Sequence, residues 1–197
     1  MGRGHGGSRG SSPGGGVKDR TMQGYSRTLA KAVASREAEV RNMPVEHSAV
    51  FDEKGNLLFT RVGDANSVAV NGAPLKDNIY THNHPSAPQS SFSTEDITVA
   101  VRHNAKEMRA VTRDYTFSLK RPESGWGAKG KMGSDIEIMN RKRTIVEKTS
   151  ARLKHYVFNY KGDKATALRR ADFVMHHMVN KQLAKSFGWS YTKQRNQ

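Results

Sequence analysis

The 197-residue chain contains no cysteine, and that absence removes several chemistries at once. No disulfide can form and no thiolate can hold zinc. A zinc deaminase, which needs a Pro-Cys-x-x-Cys pair, is excluded as well. A cysteine-free chain fits a reducing compartment. Long apolar runs are also missing, so neither a membrane span nor a secretory leader with an apolar middle is expected.

Acidic residues are scarce. There are 18 Asp and Glu against 33 Lys and Arg, which leaves a formal charge of +15. The excess is uneven: residues 1–20 carry +3, 21–43 carry +2, 44–128 carry −1, and 129–197 carry +11. A nearly neutral middle is therefore followed by a strongly basic C-terminal segment, more basic than solubility requires, of the kind that contacts a polyanion.

Residues 1–20 read as a flexible Gly/Ser/Arg-rich tail with almost nothing to bury. Residues 21–43 read as an N-terminal helix from Thr21 to about Arg41, closed by Pro44. Residues 44–128 form the expected central domain. There Glu46–Phe51 and Leu57–Thr60 read as strands joined by the turn Asp52–Asn56, followed by strands at Ser67–Val70 and Asn78–His84. A helix is expected over Thr94–Lys106, then strands at Ala110–Thr112 and Tyr115–Leu119. The glycine-rich loop Pro122–Gly130 carries Trp126, read as packing the domain edge in preference to touching substrate.

Residues 129–197 read as a basic helical hairpin. Ser134-Asp135-Ile136-Glu137 forms a capping box for a helix reaching Tyr160, and Asp163 caps a second through Phe187, stopped by Gly188. Apolar residues at helical spacing line both, among them Ile136, Ile145 and Val157 on the first and Leu168, Val174 and Leu183 on the second. His176 and His177 are adjacent, so they leave their helix on different sides and make a poor metal pair. Helices against a mixed sheet make an α/β fold.

The residues that carry chemistry lie at Thr81-His82-Asn83-His84-Pro85 and Ser93-Thr94-Glu95-Asp96. Side chains at i and i+2 of a strand leave the same face, so His82 and His84 can reach one ion. Ser93 stands as the N-cap of the next helix and puts Asp96 in its first turn. Two histidines and a carboxylate, with a fourth position left to water, are the composition of a catalytic zinc site. Glu46, at the start of a neighbouring strand, is the candidate base for that water. The letters His82-Asn83-His84 also spell HNH, but a nuclease of that name spreads its three residues over a much longer unit.

In this order the residues resemble the JAMM (JAB/MPN) metalloprotease motif, a Glu, then His-x-His-Pro, then Ser-x-x-Asp. The form His82-Asn83-His84-Pro85-Ser86 is most similar to the RadC-like bacterial branch. The resemblance covers roughly Val45–Lys120 and implies a JAMM-like mixed sheet flanked by helices. It implies Zn2+ on His82, His84 and Asp96, Glu46 as acid/base, and Ser93 as the donor that steadies the oxyanion. Between His84 and Ser93 lie eight residues, one more than the family's seven, an insertion of the kind loops absorb. The segment Glu46–Pro122, with Phe92-Ser93-x-x-Asp96-Ile97 and Glu107-Met108-Arg109, is also similar to domains of bacteriophage head-morphogenesis and mobile-element proteins.

Two functions follow from these readings. One is a zinc-dependent peptide or isopeptide hydrolase of JAMM type, acting on a protein or peptide. The other is a non-enzymatic module in which a JAMM-like scaffold carries basic helices that bind DNA or RNA, with Arg141, Lys142 and Arg143 as the candidate contacts. The expected location is the cytoplasm, or the virion and host cytoplasm for a phage-encoded chain.

Overall fold

A computed structural model describes residues 20–85, 90–127 and 135–196. The expected N-terminal tail and the capping residue Ser134 lie outside them. A 3-10 turn, Arg20–Met22, leads into α1 (Arg27–Val40), then β1 (His47–Phe51), β2 (Leu57–Val62) and β3 (Ile79–Asn83). These are followed by α2 (Thr94–Arg102), β4 (Glu107–Val111), β5 (Tyr115–Lys120), α3 (Asp135–Asn159), α4 (Lys164–Phe187) and β6 (Ser190–Arg195). The fold is α/β, one six-stranded mixed sheet in the order β2-β1-β3-β4-β5-β6. Among the described residues only the β3–β4 pair is parallel, as a crossover through α2 demands. No helix of the described residues is long and apolar enough to cross a membrane.

Strand alternation assigns two cores. Ala49, Phe51 and Ile79 join Leu29 and Val33 of α1 on one face of the sheet. Val50, Tyr80, Met108, Ala110, Phe117 and Leu119 join Ile97 and Ala100 of α2 on the other. That second core also takes Ile138 and Ile145 of α3, Val179, Leu183 and Phe187 of α4, and both tryptophans. The central strands β3 and β4 are buried at every residue because both faces are covered.

On the α1 face an ion network replaces part of the hydrophobic packing. Arg109 of β4 is wholly buried and donates from Nε to Glu37 Oε1 at 2.6 Å and from Nη2 to Glu37 Oε2 at 3.0 Å. Its Nη1 reaches Glu107 Oε1 at 2.7 Å and its Nη2 reaches Thr21 Oγ1 at 2.8 Å. Thr81 Oγ1 donates to Glu37 at 2.8 Å and Ser118 Oγ to Glu107 at 2.7 Å. Burial disfavours the guanidinium charge, but the two carboxylates outweigh it and raise the Arg109 pKa. The segment Glu107-Met108-Arg109, which contributed to the phage resemblance, is thus a buried strand tying α1 to the sheet.

Several expected elements differ. The N-terminal helix starts at Arg27, not Thr21, because Gly24 takes φ +89° and Ser26 Oγ caps by accepting from the Leu29 N–H at 3.2 Å. The expected strand at Ser67–Val70 does not form. The Asp64 carboxylate accepts from the N–H groups of Asn66 and Ser67, both at 2.8 Å, and bends the chain into a turn. The helix over 94–106 stops at Arg102, where Asn104 at φ +51° redirects the chain into β4. Strand β4 begins at Glu107, three residues earlier than its apolar portion suggests, since its charged side chains are paired inside.

The C-terminal half holds the largest difference. The two helices form as expected, with Asp163 accepting from Thr166 N–H at 2.8 Å and Gly188 closing α4 at φ +74°. They are followed by β6, an unexpected strand that pairs along the whole of β5. Trp189 Nε1 donates to the Trp126 carbonyl at 2.8 Å, and Trp126 Nε1 donates to the Ala105 carbonyl at 2.9 Å. Both tryptophans are core residues, and the basic segment shares one core with the region before it instead of hanging from it.

Replacing Arg109 with Met leaves Glu37 buried without its cation and Glu107 with only Lys120, whose Nζ lies 3.9 Å from Oε2. The expected loss of stability is about 3–5 kcal/mol. Urea unfolding of Arg109→Met measures it, and a loss under about 1 kcal/mol would show that the network contributes little.

Candidate metal centre

The site is built from the end of β3 and the start of α2. His82 is the fourth residue of β3, and His84 continues the ladder by donating its N–H to the Val111 carbonyl at 3.0 Å. Both imidazoles therefore leave the sheet on the α2 side, as the i, i+2 rule requires. Their Nε2 atoms stand 2.8 Å apart. Asp96 Oδ1 lies 3.1 Å from His82 Nε2, and Asp96 Oδ2 lies 3.5 Å from His84 Nε2. The three donor atoms fall within 4.8 Å of one another, so this triad can hold a metal ion.

Asp96 is aimed by the helix cap. Ser93 Oγ accepts the Asp96 N–H at 3.0 Å, while Asp96 Oδ2 accepts the Ser93 N–H at 2.8 Å. The capping box and the candidate metal ligand are thus the same carboxylate, and the cap alone fixes where Asp96 points. Since Ser93 Oγ acts as an acceptor here, its hydroxyl proton stays available to donate into the cleft that Ser93 lines. On the far side His84 Nδ1 lies 3.3 Å from the Ser90 carbonyl, a contact that favours the tautomer with a free Nε2 lone pair.

The donor set fits a divalent ion of zinc's kind, being two imidazole nitrogens and one carboxylate oxygen. Two Nε2 atoms at 2.8 Å require a proton or a cation between them, since both lone pairs cannot face each other bare. Electrostatics agree. Burial works against the Asp96 charge, but the two histidines outweigh it and hold the carboxyl well below its ordinary range. Burial likewise lowers the His84 pKa, and Asp96 more than reverses this, so His84 titrates above an ordinary histidine.

Glu46 lies immediately before β1 and is buried, lining the same cleft of about 390 Å³ as His82, His84, Ser93 and Asp96. Burial pushes its carboxyl above the ordinary range, with the two imidazoles pulling it partly back. Its backbone is fixed on both sides, its N–H donating to Asp64 O at 2.7 Å and its carbonyl accepting from Gly63 N–H at 2.8 Å. A third support comes from Asn83, which sequence reasoning passed over. Asn83 Oδ1 accepts the His47 N–H at 2.6 Å, and Asn83 Nδ2 donates to the Val45 carbonyl at 3.0 Å, clamping the residues on either side of Glu46. Strand alternation puts Asn83 on the face opposite the histidines, but what it grips there is tertiary.

The loop before α2 is anchored by the C-terminal elements. Asn180 of α4 donates to Ser91 Oγ at 3.1 Å and to the Phe92 carbonyl at 2.8 Å, and Ser91 Oγ meets Tyr191 Oη of β6 at 2.8 Å. His177 is spent on the same Tyr191, its Nδ1 2.9 Å from Oη, while burial and the charges of Lys142 and His84 lower the pKa of His176.

The three basic residues proposed as nucleic-acid contacts do not share a surface. Lys142 is buried, donating from Nζ to Thr94 Oγ1 at 2.6 Å, and burial lowers its pKa to about 8. Arg141 donates from Nε to Ser186 Oγ at 3.1 Å across the hairpin, and Arg143 is exposed. Consecutive helical residues point about 100° apart, so Lys142 faces α2 when its neighbours face out. Lys142 is thereby corrected from a surface contact to a buried link between α3 and the helix that carries Asp96.

No family model, curated protein or solved structure matches the chain.

A proton competes with a metal for His84. Because its pKa is raised, the competition extends into the neutral range, and metal affinity should climb by up to about tenfold per pH unit there. Calorimetric titration of metal-free protein with Zn2+ at mildly acid and mildly alkaline pH is expected to show the tighter binding at the higher pH. Equal affinities would contradict the assignment of His84 as a ligand.

Proposed function

We propose that the chain is a zinc-dependent hydrolase of JAMM type that cleaves a peptide or isopeptide bond. The observation that carries this reading is the convergence of His82, His84 and Asp96 with Glu46 and Ser93 on one cleft. His82, His84 and Asp96 would hold the ion. Zinc in such a site supplies a Lewis acid that acidifies water and polarises a carbonyl.

The chain's own residues supply the rest. Glu46 takes the proton of the attacking water at its carboxylate and later delivers it to the departing amine nitrogen. Its raised pKa suits both transfers, since a base too weak to hold the proton cannot return it. Ser93 donates a hydrogen bond from its hydroxyl to the carbonyl oxygen as negative charge builds there, from a position set by the cap. Asn83 keeps Glu46 at the cleft by bonding the backbone before and after it.

Elemental analysis by mass spectrometry, on protein purified without chelator, is expected to find about one zinc per chain in the wild type and none in His84→Ala. Glu46→Gln should retain the zinc and lose hydrolysis of a quenched peptide library by at least about a hundredfold. Zinc absent from folded, zinc-supplied wild type would end the hydrolase reading.

A second reading, nucleic-acid binding without catalysis, is favoured by the +11 charge of residues 129–197 and by exposed Arg143. Under it, charge reversal at Arg141 and Arg143 weakens binding to duplex DNA and flattens the salt dependence, while Glu46→Gln changes nothing. Anisotropy titrations at two salt concentrations separate the readings.

A further inference from the structure

The valines that make Ser67–Val70 read as a strand stay out of the sheet, and their alternation serves the cleft instead. Val68 and Val70 are half-buried and line the cleft of the candidate metal centre, while Ala69 between them is exposed. Val99 of α2 lines the same cleft, three residues after Asp96 and so on the same side of the helix. Val70 and Val99 also pack against the second core, but Val68 belongs to neither core. An aliphatic side chain that no core requires, set in the cleft that Glu46 and the candidate ligands share, is left to pack on what enters.

The wall is fixed by its backbone. Asp64 N–H donates to the Ser67 carbonyl at 2.9 Å, and Ala73 N–H donates to the Val70 carbonyl at 2.9 Å. From β2, Arg61 Nη1 donates to the Ala69 carbonyl at 3.3 Å. A Cβ on Gly63 would strike the Ser67 carbonyl and the Val68 Cα, so only glycine lets the segment close this tightly. Gly63 N–H is also the group that bonds the Glu46 carbonyl, so the turn that holds Glu46 sets the wall as well. A side chain bound there has little ordering to impose on the protein.

The lining selects the occupant. Its charged residues, apart from the histidines, are the carboxylates Glu46, Glu95 and Asp96, and it contains no Lys or Arg. An acidic side chain is therefore repelled, and none of the cleft's cations is a lysine or arginine that could pair with it. We propose that Val68, Val70 and Val99 form a specificity wall that takes an aliphatic side chain of the substrate residue flanking the scissile bond. This role rests on the hydrolase reading, and it narrows the substrate to a chain with Val, Leu or Ile beside the bond that is cut.

The test uses fluorescently labelled hexapeptides with a central Gly-Gly, Gly-Leu, Leu-Gly, Gly-Asp or Gly-Lys pair in an alanine background. Cleavage by zinc-supplied wild type is followed by chromatography. Binding is followed by anisotropy with full-length Glu46→Gln, which keeps the wall and lacks the base. The better Leu peptide should exceed Gly-Gly by about tenfold in kcat/KM, expressed in KM, and by a similar factor in affinity. The Asp and Lys peptides should do no better than Gly-Gly. Val68→Ser should reduce the Leu advantage to under about threefold in both measurements. Circular dichroism checks its fold; if it fails to fold, Val68→Thr, of nearly the same shape, takes its place with the same expectation. Cleavage of all peptides at one rate would overturn the wall and leave the hydrolase reading standing. No cleavage, with the Leu peptide still selected in binding and the selection lost on substitution of Val68, would end the hydrolase reading and keep the wall. No binding of either Leu peptide, a Leu advantage that survives the substitution, or a preference for Asp or Lys would also overturn the wall.

Discussion

The arrangement depends on β3, a central strand buried on both faces whose alternating residues are given to two different tasks. Tyr80 and His82 look toward α2, and His84 follows them past the end of the strand. Thr81 and Asn83 look the other way, where Thr81 joins the Glu37–Arg109 network and Asn83 grips the backbone around Glu46. A strand in this position cannot shift register by one residue without exchanging ligands for supports. The ion network on one face and the candidate metal ligands on the other therefore restrain each other through a single stretch of backbone.

The second restraint comes from far along the chain. The loop that lies over His84 is held by Asn180 and Tyr191, and the helix that carries Asp96 is touched by Lys142. Residues from the basic C-terminal third thus reach the site from behind, through hydrogen bonds that leave the cleft itself open. The charge of that third is divided accordingly: Lys142 is turned inward and shifted toward neutrality by burial, while the arginines beside it and the cations of the hairpin tip keep their water. One charge total conceals a structural lysine, helix-closing lysines such as Lys164, and a residue of surface charge.

Local pattern carried far in this chain. The i, i+2 spacing of His82 and His84, the Ser93 cap with Asp96 three residues on, and the Asp163 and Gly188 ends of α4 are each decided by neighbours within one turn or one strand step. Their physical causes are short-range: strand pleat, orphan N–H groups at a helix start, and the left-handed region open to glycine. The α/β character and the hairpin follow from the same local rules.

What lies beyond them needed contacts across the fold. Glu107 and Arg109 disguise β4, because a charge is compatible with a buried strand only when its partners, here Glu37 and Thr21, arrive from 72 and 88 residues away. Strand β6 has too little apolar periodicity to announce itself and exists because β5 offers it an edge. Asn83 differs from any polar strand residue only in what it meets. The sequence by itself determined which side chains share a face, where α2 begins and where α4 begins and ends, since those are matters of backbone geometry over a few residues. Only the tertiary structure decided which cations are buried, which strand closes the sheet, and what holds Glu46 beside the ligands, because each depends on the desolvation and pairing of groups that the chain brings together last.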